Sequence, residues 1–362
     1  MDKLLIALAF GLVLLIIYQI LRFFTIYSIV RGKKRPTNLD SFNKINGILM
    51  LVFLFGGMFL VFWYSSKASE FYLPESASVH GDWIDDMLWM SIYITGIVFV
   101  VTQVLLFYFS YKYQYRPGRK AYFYPHNNKL EIAWTVVPAI AFIVMFIIAQ
   151  DAWGKITGKA PDDAVLVEVV GQQFSWEIRY PGLDGTLGRD DYRLIDAVNS
   201  LGMDLTDRAS YDDFTSPQLL VPKGRAVMLR IRAKDVIHSV YIPHFRIKMD
   251  AVPGMPTRFH FEAKYTTEEM RTKLGNPDFE FELACAEICG RGHFAMRMVV
   301  TVVEEEEFNT WYREQQSWLS RNPEYLSKVP GDLKPLARAK MENSYVDSSN
   351  SFSSVFFING SK

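Results

Sequence analysis

The sequence predicts a membrane protein of mixed α + β class: four transmembrane helices followed by an extracytoplasmic β-sandwich or small barrel. Three observations carry that prediction. Four apolar runs fall within the first 150 residues, basic residues alternate between the intervening loops, and past residue 150 the hydrophobic period drops to two. The chain has 362 residues, room for more than one domain, and its 39 basic and 39 acidic side chains balance. No basic excess is present to neutralise phosphates, so nucleic acid is not an expected partner.

The apolar runs cover 4–24, 45–64, 87–111 and 132–149, each close to the roughly 20 residues needed to cross hydrocarbon. Buried soluble helices are the alternative, and four such runs in series argue against it. The first run continues into aromatic residues without a small-residue cleavage site and reads as a retained span, not a signal peptide. Loop 22–44 carries Arg22, Arg31, Lys33, Lys34, Arg35 and Lys44 against Asp40, and 112–130 carries Lys112, Arg116, Arg119, Lys120 and Lys129 without an acid. Between them, 65–86 has Lys67 against Glu70, Glu75, Asp82, Asp85 and Asp86. Basic loops stay in the cytoplasm, so both termini and everything beyond residue 150 are expected outside.

Beyond the last run, 226-AVMLRIR-232, 257-TRFHFE-262 and 279-FEFELA-284 alternate apolar and polar residues, as half-buried strands do. With 164-AVLVEVV-170 and 298-MVVTVV-303, at least five strands are expected, with no helical period of comparable strength between them. The polar segment 183–217 holds eight aspartates, Asp184 to Asp213, and reads as an acidic surface excursion. The last fifty or so residues show little pattern and read as a tail.

The chemistry concentrates in 283-LACAEICGRGHFAMRM-298, which holds both cysteines of the chain. Cys285-x3-Cys289 in an oxidising compartment is compatible with a disulfide. Two thiolates and an imidazole also suit structural zinc. A thioether behind a thiolate–imidazole pair points instead to redox copper. Cys289-x3-His293-x2-Met296 resembles the ligand loop of blue-copper cupredoxins, which take a further histidine from an earlier strand. Of the two histidines in 235-DVIHSVYIPHF-245, His238 is the expected ligand because Asp235 stands near it, and His244 is expected to be a core or surface histidine. A mononuclear site needs one cysteine. Two thiolates on one loop can bridge two coppers, each with one histidine.

The motif 285-CAEICGRGHFAM-296, with 235-DVIHS-239 and 253-PGMPTRF-259, resembles cytochrome c oxidase subunit II of the haem–copper oxidases, over residues 85 to 315. The resemblance implies a cupredoxin-like domain with a dinuclear copper (CuA) centre. Cys285 and Cys289 bridge the metals, His238 and His293 bind one each, and Met296 and the Glu287 carbonyl are weak ligands. It assigns the Glu287 side chain to Mg2+ at the interface with the catalytic subunit. In 131-EIAWTVVPA-139, it places Glu131 at the cytoplasmic entrance of a proton channel; a plain acid at a helix N-terminus is the alternative. Where the family often has Trp-Tyr-Trp after Gly-x-Gln, this chain has 171-GQQFSW-176, so Phe174 and Trp176 are the candidates for where electrons arrive.

The implied function is to accept electrons from cytochrome c, soluble or membrane-held, and pass them to haem in the catalytic subunit I. There oxygen is reduced to water and protons are translocated. Expected partners are subunit I, subunit III, accessory subunits and membrane lipid, in a bacterial cytoplasmic membrane with the copper domain on the periplasmic side. The expected domains are an added hairpin at 1–64, a loop at 65–86, the family hairpin at 87–150, the copper domain at 151–315 and a tail at 316–362. The added hairpin is expected to contact accessory subunits or a neighbouring complex that holds the donor, as in a supercomplex. The acidic excursion reads either as a docking surface for a basic cytochrome or as a solvated loop. A membrane-tethered copper carrier and a structural zinc or disulfide domain are the other classes the residues allow.

Overall fold

A computed structural model describes residues 2–30 and 39–342. The basic residues 31–35 and the stretch 343–362 of the expected tail lie outside them. Helices stand at all four apolar runs: α1 (Asp2–Val30), α2 (Leu39–Ala68), α3 (Val79–Lys112) and α4 (Asn128–Thr157). The last three are long and apolar enough to cross a membrane, and α1 contains the shorter apolar stretch Gly11–Tyr27. At about 1.5 Å per residue, α3 is about 50 Å long, more than the hydrocarbon core of about 30 Å requires.

The chain forms two compact units. In the first, 1–69 with 93–129, α2 packs on the later part of α3. Phe53 and Phe107 lie 5.3 Å apart, Asn43 donates to the Tyr115 carbonyl at 3.2 Å, and Gly47 leaves room for the Gln114 amide. Every described side chain of α1 is exposed.

The second unit, 70–92 with 130–362, is built on two five-stranded sheets. The strands are β1 (Val165–Gln172), β2 (Ser175–Tyr180), β3 (Phe214–Ser216), β4 (Leu219–Pro222), β5 (Ala226–Ala233), β6 (His238–Ile242), β7 (Ile247–Ala251), β8 (Thr257–Glu262), β9 (Phe281–Cys285) and β10 (Arg297–Val303). One sheet runs β3-β2-β1-β5-β8 and the other β4-β10-β9-β6-β7. The alternation seen in sequence is the inward face: Val227, Leu229 and Ile231 of β5 meet Phe259 and Phe261 of β8, and Phe281 and Leu283 of β9, in one core. The first turns of α3, which belong to this unit, make Arg246–Asp85 and Lys264–Asp82 ion pairs with its strands and turns.

Three expectations are corrected. A short helix, α5 (Thr267–Leu274), interrupts the strands. Its signal was local rather than periodic: Thr266 and Glu269 form a capping box, and Gly275 closes the helix at φ 62°. The segment from 316 is not a patternless tail up to 342. After α6 (Glu305–Arg313) come α7 (Trp318–Arg321) and α8 (Lys334–Glu342), and Trp318, Leu319, Tyr325 and Val329 share a second core with Leu201, Met203, Leu205 and Tyr211. Nor is the acidic excursion simply solvated, since it supplies the other half of that core.

All eight excursion aspartates have cationic partners. Asp184 and Asp212 pair with Lys340, Asp190 with Arg230, Asp191 with Arg193, Asp196 with Lys328, Asp204 and Asp207 with Arg189, and Asp213 with Arg179. Arg179 and Glu168 are wholly buried and paired, and Arg232 donates to Glu168 at 2.9 Å and to the Leu201 carbonyl at 2.9 Å. Removing one member of such a buried set costs about 3–5 kcal/mol, because its partner is left charged and dry.

Candidate metal centre

The donors lie at one end of the β7-β6-β9-β10 sheet. His238 opens β6 and Cys285 closes β9, and these strands pair through Val240–Cys285 and Tyr241–Ala284. The loop 286–296 returns into β10. It is fixed at its base by the Cys285 N–H to the Met296 carbonyl at 3.1 Å and the Ala286 N–H to the Ser239 carbonyl at 3.0 Å. A 3-10 turn at His293–Ala295 brings His293 and Met296 back under the cysteines.

The side chains converge at nearly uniform spacing. Cys285 Sγ lies 3.8 Å from Cys289 Sγ and 3.8 Å from His238 Nδ1. Cys289 Sγ lies 3.7 Å from His293 Nδ1 and 3.8 Å from Met296 Sδ. The Glu287 carbonyl is 3.2 Å from Cys285 Sγ, while its side chain is exposed. His238, Cys285 and Cys289 form the one group of three or more candidate ligands among the described residues. Glu131 stands apart in the first turn of α4, about 39 Å of helix from Thr157. His244 lies away from the cluster, edge-on to Phe279 and Phe281.

These residues fit a metal. Metal–sulfur bonds of about 2.3 Å and metal–nitrogen bonds of about 2.0 Å at near-tetrahedral angles give donor spacings of about 3.5–3.8 Å. The sulfurs are far beyond the bond of about 2.05 Å in a disulfide. Burial and the adjacent Cys285 sulfur push the Cys289 thiol up to about 11. A coordinating cation is what would hold both sulfurs as thiolates. Thiolate, imidazole and thioether together are soft or borderline donors, suited to copper.

The surroundings orient the donors. His238 Nε2 donates to Asp235 Oδ1 at 2.8 Å, which leaves Nδ1 as the acceptor facing Cys285. The Gln173 N–H donates to Asp235 Oδ2 at 2.7 Å, and the Gln173 side-chain amide donates to the Cys289 carbonyl. Gln173 and Phe174 form the tip of the β1–β2 hairpin, so the opposite sheet braces both the His238 segment and the cysteine loop. Phe174 is 39% exposed and packs over Gly290 and Gly292, where any Cβ would lie within 3 Å of its atoms. Trp176 is buried with its ring 5.9 Å from His238, and Gly171 makes room for both. Sequence reasoning missed Gln173 and the three glycines. Only Gly171 and the pair Gly290 and Gly292 hinted at close packing.

Two family models match the chain: cytochrome c oxidase subunit II, periplasmic domain, over residues 165–303, and its transmembrane domain over residues 65–150. The alternative cytochrome c oxidase subunit 2 of Bradyrhizobium diazoefficiens is 34% identical over 238 residues, covering 65% of this chain and 81% of that one. Cytochrome c oxidase subunit 2 of Thermostichus vulcanus is 30% identical over 273 residues, covering 68% and 79%. Among solved structures, the periplasmic domain of subunit II of cytochrome oxidase from Bradyrhizobium japonicum aligns at 24% identity and a TM-score of 0.29, over 42% of this chain and 94% of that one.

Proposed function

The chain belongs to the cytochrome c oxidase subunit II family, and on that premise we propose that it receives electrons singly from cytochrome c at a dinuclear copper site and delivers them to haem in the catalytic subunit. Family membership makes it a membrane-bound part of an oxidoreductase complex, associated with a catalytic subunit, with a periplasmic domain and a copper centre. The observation that carries the finer reading is the cluster of two thiols, two imidazoles and a thioether, each within 3.8 Å of its neighbour.

A pair of coppers bound there supplies a one-electron redox site. In this reading Cys285 and Cys289 would hold the metals together with His238 and His293 through Nδ1, and with Met296 and the Glu287 carbonyl as weaker donors. Asp235 holds the His238 proton on Nε2. Gln173 holds the loop by its Cys289 carbonyl. Phe174, exposed over the loop, is the side chain on which a donor would bear; the buried Trp176 packs beside His238.

Further readings rest on the family. The Glu287 side chain would bind Mg2+ against the catalytic subunit. Glu131 would pass protons into that subunit from the cytoplasmic face. All four helices would span the bacterial cytoplasmic membrane with both basic loops inside, the first two contacting accessory subunits or a neighbouring complex. Copper analysis with visible and near-infrared spectra of the purified oxidase tests the centre. Two coppers in this chain with a delocalised mixed-valence band support the reading. A colourless, zinc-loaded or disulfide-linked loop would refute it.

A further inference from the structure

We propose, independently of the copper reading, that the segment 74–85 is an acid-sensitive latch on the β unit, closed while His80 is neutral and opened when that imidazole takes a proton.

The segment is strapped down by backbone and by one cation. The Ala77 N–H donates to the His244 carbonyl at 2.7 Å, the Lys264 N–H to the Ala77 carbonyl at 2.8 Å, and the Ser78 hydroxyl to the Phe245 carbonyl at 2.8 Å. Arg246 grips Asp85 with two nitrogens at 2.6 and 2.8 Å, and donates to the Pro74 carbonyl at 2.7 Å. It is the one residue other than glycine at positive φ, 55°, among the described residues. That conformation favours glycine, so an arginine there is imposed by the contacts around it. The same turn joins β7 to β6, which carries His238 at its other end.

His80 lies under this strap, in the first turn of α3 and ahead of the apolar run 87–111. It is 5% exposed and edge-on to Phe259 at 5.2 Å, and neither ring nitrogen has a hydrogen-bond partner among the described residues. A buried imidazole with no acceptor is tolerated only uncharged. No carboxylate is placed to receive its charge. Asp85 is held by Arg246, Asp82 by Lys264 and Asp151 by Lys155, while Glu262 of β8 bonds neither His80 nor His260. The nearby basic groups do not help. His260 of β8 and His244 are themselves held below the usual imidazole value by burial, and Arg258 is turned to the Thr157 carbonyl. Burial first, and then His260, push the His80 imidazole down to about 4, against a smaller upward pull from the Arg246 and Phe245 backbone.

A lowered folded value means that the open segment binds a proton which the closed one refuses. The closed state is therefore fully favoured above the free value of about 6.5 and loses ground as pH falls toward the folded one. Between pH 7.5 and pH 5 the open fraction rises about 30-fold.

The test is hydrogen exchange of the purified oxidase, read by mass spectrometry over peptides spanning 76–82 and corrected for the intrinsic rate at each pH. In the parent, protection falls about 30-fold from pH 7.5 to pH 5, starting below about pH 6.5. His80→Phe and, as a second non-ionising variant, His80→Gln lose less than about threefold. His260→Gln, which leaves His80 to titrate, keeps the response. Protection that is indifferent to pH in the parent overturns the inference, as does a loss that starts only below about pH 5, where carboxylates titrate. So does an equal loss in a His80 variant, or a response abolished by His260→Gln. The parent's own profile decides the matter if neither His80 variant folds.

Discussion

Asp235→Asn isolates the second layer of the metal site. The carboxylate accepts three hydrogen bonds, from His238 Nε2 at 2.8 Å and from the Gln173 and Val236 N–H groups at 2.7 Å each. An amide of the same shape has one acceptor oxygen, so its NH2 takes either the Oδ2 place, losing the Gln173 bond, or the Oδ1 place, losing the His238 and Val236 bonds together. A hydrogen bond to a charged group is worth about 1.5–3 kcal/mol. Asp235 is 35% exposed on its side chain, so the lower part of that range applies. That is a loss of about 10-fold to 30-fold in copper affinity, inside the range typical of outer-shell substitutions. Chelator competition on the copper-loaded oxidase reads it, with a changed near-infrared band as the second signature. Unchanged affinity and spectrum would show that the metal site does not depend on the Asp235 carboxylate.

Met296→Leu conserves volume, so the fold should survive at a cost below about 1.5 kcal/mol, with copper content kept and the spectrum altered. Trp318→Ala empties a site only 6% exposed in the second core. It should cost about 3–5 kcal/mol and make the 183–217 segment sensitive to limited proteolysis, while the copper spectrum stays unchanged. The Tyr325 hydroxyl, the Asn199 and Val198 N–H groups and Lys328 hold Asp196 well below the usual carboxylate range. The stability it contributes is therefore full above the unfolded value of about 3.9 and lost as pH falls through the depressed one, and thermal melts of Asp196→Asn should lack that acid-side loss. Gly292→Ala sets a methyl 2.5 Å from Phe174 Cγ on a backbone, φ −91°, that any residue accepts. The melt should fall by about 1–3 kcal/mol, and Phe174→Ala in the same chain should restore it.

The apolar runs and the alternating strands were legible because each depends on a one-dimensional period. The convergence of His238, Cys285, Cys289, His293 and Met296 was legible because the cysteine, histidine and methionine of one short loop are drawn together by its spacing. The excursion was misread for a physical reason. Its aspartates count as charge in sequence, but their partners, Arg179, Arg230, Lys328 and Lys340, lie far along the chain, and only folding pairs them. The C-terminal helices were hidden likewise. Trp318, Leu319 and Tyr325 show no amphipathic period over such short elements and find their apolar complement more than a hundred residues upstream. Gln173 was invisible because a glutamine announces nothing until its two partners, Asp235 and Cys289, are seen on either side of it.

The placement of the donors follows from that architecture. Neighbouring strands β6 and β9 carry His238 and Cys285, so sheet hydrogen bonds set their relative position. Cys289, His293 and Met296 sit on a loop that strands alone would leave free. The opposite sheet removes that freedom through the Gln173 amide on the Cys289 carbonyl and the Phe174 ring over Gly290 and Gly292. Both sheets thus converge on one loop, so a redox metal held as proposed would find little backbone slack there. A small geometric change between redox states is what rapid electron transfer requires. The same bracing explains why an uncharged residue, Phe174, stands at the surface. A side chain that must pack flat against two glycines is best served by a planar apolar ring.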